Sequence, residues 1–322
     1  MHEWSKTMQE ILDTVDHAIR HRESDSLTLT FLARRLGYSE YHLSRRFKAM
    51  AGMSFREFFR LRKLAFAMEE VAGSDESILD IAVKYGFSSH EAFTRAFRVT
   101  YGITPSAFRR NPVPPSLRTI IKPFDCYFLG TGGHGMANST EHVKTYFVTI
   151  PAHKFLHIRN YESIGYFDFW DKQSRIPGCD CDTICNLLLT IPNRLDDKGE
   201  SGIDSGSGQI MGYLNAPTGR ICSWGIPLAE CYGVRLPTDY AGPVPDQMTL
   251  TDVPEGEYIV FEHGPFDYAT ENAIVEERIE RAMAEFDYSA SPYQLDMTPG
   301  RFFYFYHDEH RYWKYIRPVA KR

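Results

Sequence analysis

A seven-residue pattern occurs twice in the first third of this chain, and it narrows the possible folds more than any other feature. Residues 33–39 (Ala-Arg-Arg-Leu-Gly-Tyr-Ser) match residues 82–88 (Ala-Val-Lys-Tyr-Gly-Phe-Ser) at an offset of 49. One inserted residue then shifts the offset to 50, where Leu43 matches Phe93, Ser44 Thr94, Arg45 Arg95, Phe47 Phe97, Gly52 Gly102, Ser54 Thr104 and Phe58 Phe108. Each copy offers a short helix with a small Ala on its packing face, a Gly where the chain turns tightly, and a Ser that starts a second helix. That is the helix-turn-helix arrangement, whose second helix enters the DNA major groove.

Around the repeat the apolar period is three to four residues from 4 to 110, with no strand-type alternation. Met8, Ile11, Leu12, Val15 and Ile19 make one such stripe. Thr28, Ser39, Ser54, Ser77, Ser88 and Thr104 stand where an N-cap is needed to accept an orphan amide. Ser54 with Glu57, and Ser88 with Glu91, fit the reciprocal capping box. Pro105 fits the first position of a helix. The reading is all-α with seven helices: 5–22, 29–36, 40–51, 55–73, 78–85, 89–101 and 105–110. The long helix 55–73 would span ~28 Å at ~1.5 Å per residue. Two reading helices joined by it can sit about one DNA turn apart, ~34 Å, on one side of the duplex.

Helical geometry separates packing from reading residues. After Ser39, the residues Leu43, Phe47 and Met50 form the inner stripe, and Tyr41, Ser44, Arg45 and Lys48 fall on the other face. After Ser88, the residues Phe93, Ala96 and Phe97 point inward, and His90, Glu91, Thr94, Arg95 and Arg98 point outward. Arg clamps guanine O6 and N7, and Ser, Thr, His or Tyr reach other base edges or phosphates. Glu91 either caps its helix or accepts from a cytosine amine. Arg34, Arg35, Arg46, Arg60, Arg62 and Lys63 are expected to face phosphates or solvent.

Charge follows the same division. The whole chain is at −6, which taken alone argues against nucleic acid. Residues 1–111 carry 17 Lys and Arg against 14 Asp and Glu, a net +3, whereas 112–322 carry 19 against 28, a net −9. Stretch 30–66 is at +7 and stretch 84–110 at +4. A basic part joined to an acidic part points to an acidic partner such as DNA for the first. The apolar runs fall far short of the ~18 residues that span a bilayer. The charged, amphipathic N-terminal segment reads as neither secretory signal nor transit peptide. Six irregularly spaced cysteines suit reduced thiols. The expectation is a cytoplasmic protein without membrane contact.

With these residues in view, 8–110 resembles the DNA-binding domain of the AraC/XylS family of bacterial transcription regulators. The segments that carry the likeness are LARRLGYSEYHLSRRFKAMAGMSFREFFRLRKLAFA and ILDIAVKYGFSSHEAFTRAFRVTYGITPSAFRR. The second holds the family's G-F-x-S, F-x-R-x-F-R, G-x-T-P and F-R elements. The resemblance implies base contacts at Tyr41, Ser44 and Arg45 and at His90, Glu91, Thr94 and Arg95, double-stranded promoter DNA as a partner, and RNA polymerase as a further one.

From Asn111 the helical period stops, and Asn-Pro-Val-Pro-Pro-Ser ends the first domain. Residues 112–143 read as a linker with one strand at 117–129. Gly130-Thr-Gly-Gly-His-Gly135 lacks the Lys-Ser/Thr ending of a phosphate loop. Beyond 144, β-branched and aromatic residues alternate as in strands. A fainter repeat relates Ile150–Ile158 to Val253–Phe261 at an offset of 103. Each copy opens with a strand. The first continues with helices near 163–174 and 181–189 and strands near 208–214 and 220–226. The second continues with a helix at Asn272–Phe286 and strands at 300–307 and 311–318. The reading for 144–322 is α+β, a duplicated β-α-β-β unit whose paired sheets leave a cleft.

This half resembles the GyrI-like effector-binding domain of Rob-type regulators, through VPEGEYIVFEHGP, the terminal Tyr315–Val319 stretch and the segment from Cys231 to Pro237. The resemblance implies a small amphipathic or aromatic effector. It departs from the family at 302–306, where Phe-Phe-Tyr-Phe-Tyr stands in place of a strand bearing an acid. The lining expected from alternation and size is Trp170, Tyr213, Trp224, Phe302, Tyr304 and Tyr306, with Trp313 a further large group and Glu230 and Glu262 as the acids to watch. No nucleophile, base and orienter stand together, so the chain reads as a non-enzyme without metal or cofactor. A hydrolase-like or protein-binding role of the C-terminal domain is the alternative. Cys179, Cys181 and Cys185 crowd three thiols into seven residues but lack the paired spacing and fourth ligand of zinc sites. His153 and His157 read as packing or surface groups.

Overall fold

The computed structural model describes residues 2–112, 119, 121, 124, 143–195, 208–307 and 313–322. They divide into two compact units. The helical unit draws on Met1–Gly130, Asn215–Leu228 and Met297–Gly300. It holds α1 (His2–Arg20), α2 (Leu29–Leu36), α3 (Glu40–Ala51), α4 (Phe55–Gly73), α5 (Ile78–Lys84), α6 (His90–Tyr101) and α7 (Pro105–Arg110). The side chains of Thr28, Ser39, Ser54, Ser77 and Thr104 accept the amides that their helices leave unpaired. Gly37 and Gly86 turn at φ 73° and 72°, a left-handed conformation that an L side chain resists.

One cap differs from expectation. Ser89, not Ser88, caps α6 and accepts from the Ala92 amide at 3.1 Å. The inserted residue lies in the turn, Gly-Phe-Ser-Ser against Gly-Tyr-Ser, so the cap itself already follows the offset of 50. The Ser88–Glu91 capping box is therefore not formed.

Two cores hold the helices. Met8, Ile11, Leu12 and Val15 of α1 pack with Leu32, Leu43, Phe47 and Phe58. Leu64, Met68 and Val71 of α4 pack with Ile81, Phe93, Phe97 and Phe108. Residues from far along the chain complete the first core. The strands β3 (Gln209–Ile221) and β4 (Pro227–Leu236) end in a hairpin, Asn215–Leu228, that belongs to the helical unit. The turn of this hairpin occupies the place where a strand at 220–226 was expected. Of the expected strand 117–129 the described residues are Thr119, Ile121 and Phe124; the glycine-rich stretch 130–135 lies outside them. The Ile121 amide donates to Gly225 O at 3.1 Å and the Phe124 amide to Ser223 O at 2.7 Å.

Arg62 is the polar centre of this contact, and its place corrects the expectation of phosphate or solvent. It is wholly buried, pairs with both carboxylate oxygens of Asp16 at 2.8 and 2.6 Å, and donates to Pro217 O at 2.8 Å and Gly219 O at 3.0 Å. Burial pushes the Asp16 carboxyl above the usual carboxylate range, and the Arg62 guanidinium offsets part of that push. Around this centre Arg220 holds Asp13 through two bonds of 2.8 and 3.0 Å, and Gln9 donates to Ile221 O at 2.9 Å. Arg20 donates to Thr218 O at 3.0 Å, and the Thr218 hydroxyl donates to Glu69.

The sheet unit draws on Thr131–Leu214, Ala229–Asp296 and Arg301–Arg322. Besides the near ends of β3 and β4 it holds β1 (Val143–Ile150), β2 (His153–Asn160), β5 (Thr249–Val253), β6 (Gly256–His263), β7 (Tyr293–Leu295), β8 (Phe302–His307) and β9 (Trp313–Lys321). Its helices are α8 (Tyr166–Gln173), α9 (Cys181–Thr190) and α10 (Tyr268–Glu285). Among the described residues the strands form one sheet, ordered β1-β6-β9-β8-β3-β4-β2-β5, with β7 paired to β9. The pairs β1–β6, β6–β9, β8–β9, β3–β8, β2–β4, β2–β5 and β7–β9 are antiparallel, from Val143 opposite His263 at one end to His153 opposite Val253 at the other. One continuous sheet stands where two sheets with a cleft between them were expected. The strand just before each sequence copy pairs with the opening strand of the other copy, β1 with β6 and β5 with β2. Trp170, Ile184 and Leu188 of α8 and α9 pack on Leu156 and Val234, and α10 packs on β1, β6 and β9. No helix among the described residues is long and apolar enough to cross a membrane.

Candidate nucleic-acid interface

The second helix of each repeat presents a polar face because its apolar residues are spent on the cores. On α3, Leu43 and Phe47 are buried, while Tyr41, Ser44, Arg45 and Lys48 are exposed, Tyr41 at 76%. On α6, Phe93 and Phe97 are buried, Glu91, Arg95 and Arg98 are exposed, and His90 and Thr94 are half-buried. His90, Glu91, Thr94 and Arg95 line one recess of about 560 Å³, with Arg98, Val99 and Thr104 completing its wall. All eight sequence-derived positions thus stand on the two outer faces. Bonds from its own amide and from Ser89 hold the exposed Glu91 carboxyl below the usual carboxylate range. Glu91 therefore supports the α6 N-terminus as an anion, the favoured charge at that end.

The basic residues around these helices fall into two groups. Arg35 lies 3.6 Å from Glu10, and Arg46 and Lys63 rest over the rings of Trp4 and Phe59. These three are held at the surface by neighbours within the unit. Arg62 is withdrawn from the surface altogether.

Comparison with known proteins bears on this unit. A helix-turn-helix domain model matches residues 32–111. The Probable transcription factor PqrA of Proteus vulgaris is 39% identical over 94 residues, 29% of this chain and 77% of that protein. The HTH-type transcriptional activator AarP of Providencia stuartii is 33% identical over 105 residues, 33% of this chain and 75% of that protein. This chain belongs to the AraC/XylS family of transcription regulators. The right origin-binding protein of Escherichia coli K12 is 38% identical over 86 residues, 27% of this chain but only 30% of its own length. As an AraC-type DNA-binding transcription regulator, the chain thus shares with its relatives a module of about a hundred residues.

Of the ligand residues expected in the sheet unit of this AraC-type regulator, Phe302 and Tyr304 are brought together. Phe302 and Tyr304 are buried at 0% and 1% exposure, stacked on each other and edged by Phe155. They are core, since alternation puts them on a covered face of the sheet. The Tyr304 hydroxyl is 2.7 Å from His153 Nε2. Trp170 is buried against Tyr232, and Tyr213 is half-buried in β3. Trp224 belongs to the helical unit, in its hairpin turn. The Tyr306 side chain lies outside the described residues. Glu262 is buried, accepts from the Tyr146 hydroxyl at 2.6 Å and lies 3.4 Å from Lys314 Nζ. The sequence reading missed a different feature, a recess of about 400 Å³ whose walls include Arg159, Gln173, Cys179, Asp246 and Gln247. Its polar residues come from loops and from the ends of a strand and a helix, where no periodic signal marks them.

Proposed function

We propose that this AraC-type regulator reads promoter DNA with α3 and α6 and answers to a small amphipathic or aromatic effector held by its sheet unit. The observation that carries the DNA reading is the paired exposure of Tyr41, Ser44, Arg45 and Lys48 with His90, Glu91, Thr94 and Arg95, behind two glycine turns of the same φ. In this reading Arg45 and Arg95 clamp guanine edges, Ser44, Thr94, His90 and Tyr41 reach neighbouring edges or phosphates, and Lys48 neutralises phosphate. The sheet unit is read as a duplicated GyrI-like domain. Supporting this, the strand order reads the same reversed when β1 and β5, β2 and β6, β3 and β8, and β4 and β9 are exchanged. The recess beside Arg159 and Asp246 is the effector site that the lining residues favour. Because β3 and β4 run on into the hairpin on α1 and α4, effector binding can bias which DNA-domain state is populated. RNA polymerase is the further partner, as the description of AarP as a transcriptional activator suggests.

The test is binding of genomic promoter fragments, measured by fluorescence anisotropy. Arg45→Ala and Arg95→Ala are each expected to cost ~1–3 kcal/mol, or ~5- to 150-fold in affinity. Affinity is expected to fall steeply with salt. Unchanged affinity in both variants, or a flat salt response, would overturn the reading.

A further inference from the structure

Cys181 and Cys185 of the sheet unit stand outside the function proposed above. Cys181 opens α9, behind its cap Asp180, and Cys185 follows one turn later on the same face. Their sulfurs are 3.7 Å apart, both residues are half-buried, and Cys185 Sγ is 3.9 Å from the Tyr232 hydroxyl. Gln209 fixes this wall: it accepts from the Tyr232 hydroxyl at 2.9 Å and donates to Cys185 O at 3.1 Å.

Three fates of such a pair can be compared. A disulfide needs sulfurs at ~2.05 Å and Cβ atoms at ~3.8 Å, whereas residues four apart on a helix hold their Cβ atoms at ~5–6 Å, so closure would distort α9. Structural zinc needs four ligands, and among the described residues no three His, Cys, Asp or Glu side chains gather around a common point. A soft, three-coordinate centre that already carries one carbon substituent needs only two sulfurs. Placed between the sulfurs, it bridges the gap without drawing the helix turn together.

We propose that Cys181 and Cys185 form a two-thiol capture site for trivalent organoarsenicals. With an arsine oxide, two S–H bonds and the As=O bond break, two As–S bonds form, and both protons leave with the oxygen as water. Arsenic stays trivalent and no oxidant is required. Burial and the neighbouring thiol push Cys181 up to about 12, so its thiol is protonated at rest and that proton leaves in the released water. The ring of Tyr232, packed against Trp170 with centroids 4.9 Å apart, gives an apolar wall for the carbon substituent.

Phenylarsine oxide is the probe, and intact-mass spectrometry of the full chain is the readout. The expected result is one bridged phenylarsenic adduct that survives a glutathione wash, is removed by a competing dithiol, and shields both Cys181 and Cys185 from iodoacetamide on peptide mapping. Cys181→Ser and Cys185→Ser are each expected to abolish the glutathione-resistant adduct, and Cys179→Ser and Cys222→Ser to keep it. Peptide mapping of the native chain keeps the test decisive should a serine variant misfold. A glutathione-resistant adduct in the Cys181→Ser, Cys185→Ser double variant, or shielding of any other cysteine pair, would overturn the proposal, as would absence of the adduct in the native chain.

Discussion

The two helix-turn-helix copies present the same kind of face but are anchored differently. Both turn on a left-handed glycine and cap the outer helix with Ser, Ser39 in one and Ser89 in the other. Among the described residues the core of the second copy is drawn from residues between Leu64 and Phe108. The core of the first also takes in α1, Ile121, Phe124 and Ile221. Arg62 ties the hairpin beside it to α1 and α4. The second copy thus draws its core from nearby chain, with Tyr85 touching both cores, and the first leans on distant chain. The outward faces share Ser44 with Thr94 and Arg45 with Arg95, while the inward side of the first copy also packs on residues far along the chain within the helical unit.

The largest expected effect comes from breaking that asymmetry at its centre. Arg62→Ala leaves Asp16 buried without its partner and is expected to cost ~3–5 kcal/mol in chemical denaturation. Arg98→Ala, on the exposed face of the second copy, is expected to stay within ~0.5 kcal/mol. Replacing the pair together, Arg62→Met with Asp16→Leu, is expected to recover most of the loss. A small cost for Arg62→Ala alone would mean that the first copy stands as independently as the second.

Acid is expected to separate the two units. In the helical unit, His17, His21 and His42 are exposed and His90 half-buried. In the sheet unit, His153 and His157 are buried at 2% and 0% exposure. Burial lowers both imidazoles, His157 to about 3. The unfolded chain binds those protons near pH ~6.5 and the native sheet does not, so stability is present above pH ~6.5 and is lost as pH falls toward 3. His157 alone is expected to cost the sheet unit about 2 kcal/mol at pH 5. Melting followed by near-ultraviolet circular dichroism checks this, and a sheet unit no weaker at pH 5 than at pH 8 would contradict it.

The smallest effect sharpens the equivalence of the copies. Ser39→Ala and Ser89→Ala are each expected to cost ~1 kcal/mol, and Ser88→Ala to stay within ~0.5 kcal/mol. The reverse ranking at 88 and 89 would move the inserted residue back into the helix.

The helical unit was almost fully legible in the sequence. Helical periodicity marks every helix, and Ser and Thr mark their starts through a local bond to an amide within three residues. The misplaced cap at Ser88 reflects two adjacent serines of equal chemistry, which only the turn geometry separates. Arg62 was illegible because its partners, Asp16 and the carbonyls of Pro217 and Gly219, lie far from it in sequence. In the sheet unit β2, the first half of β3, β6, β8, β9 and the three helices were anticipated, but β1, β4, β5 and β7 were not. Which strands join depends on pairings such as Tyr146 with Val260, and alternation along one strand carries no information about its neighbour. For the same reason the burial of Phe302 and Tyr304 was invisible: alternation assigns them a common face without saying what covers it.

The central claim is that α3 and α6 read two stretches of one duplex. Its most direct measurement is base-resolved binding preference, obtained by selecting randomised operator libraries with the native protein, Arg45→Ala and Arg95→Ala. The account predicts two separate blocks about one DNA turn, ~10 base pairs, apart, with Arg45→Ala relaxing preference in one block and Arg95→Ala in the other. Loss of preference at the same base pairs in both variants, or in neither, would contradict it.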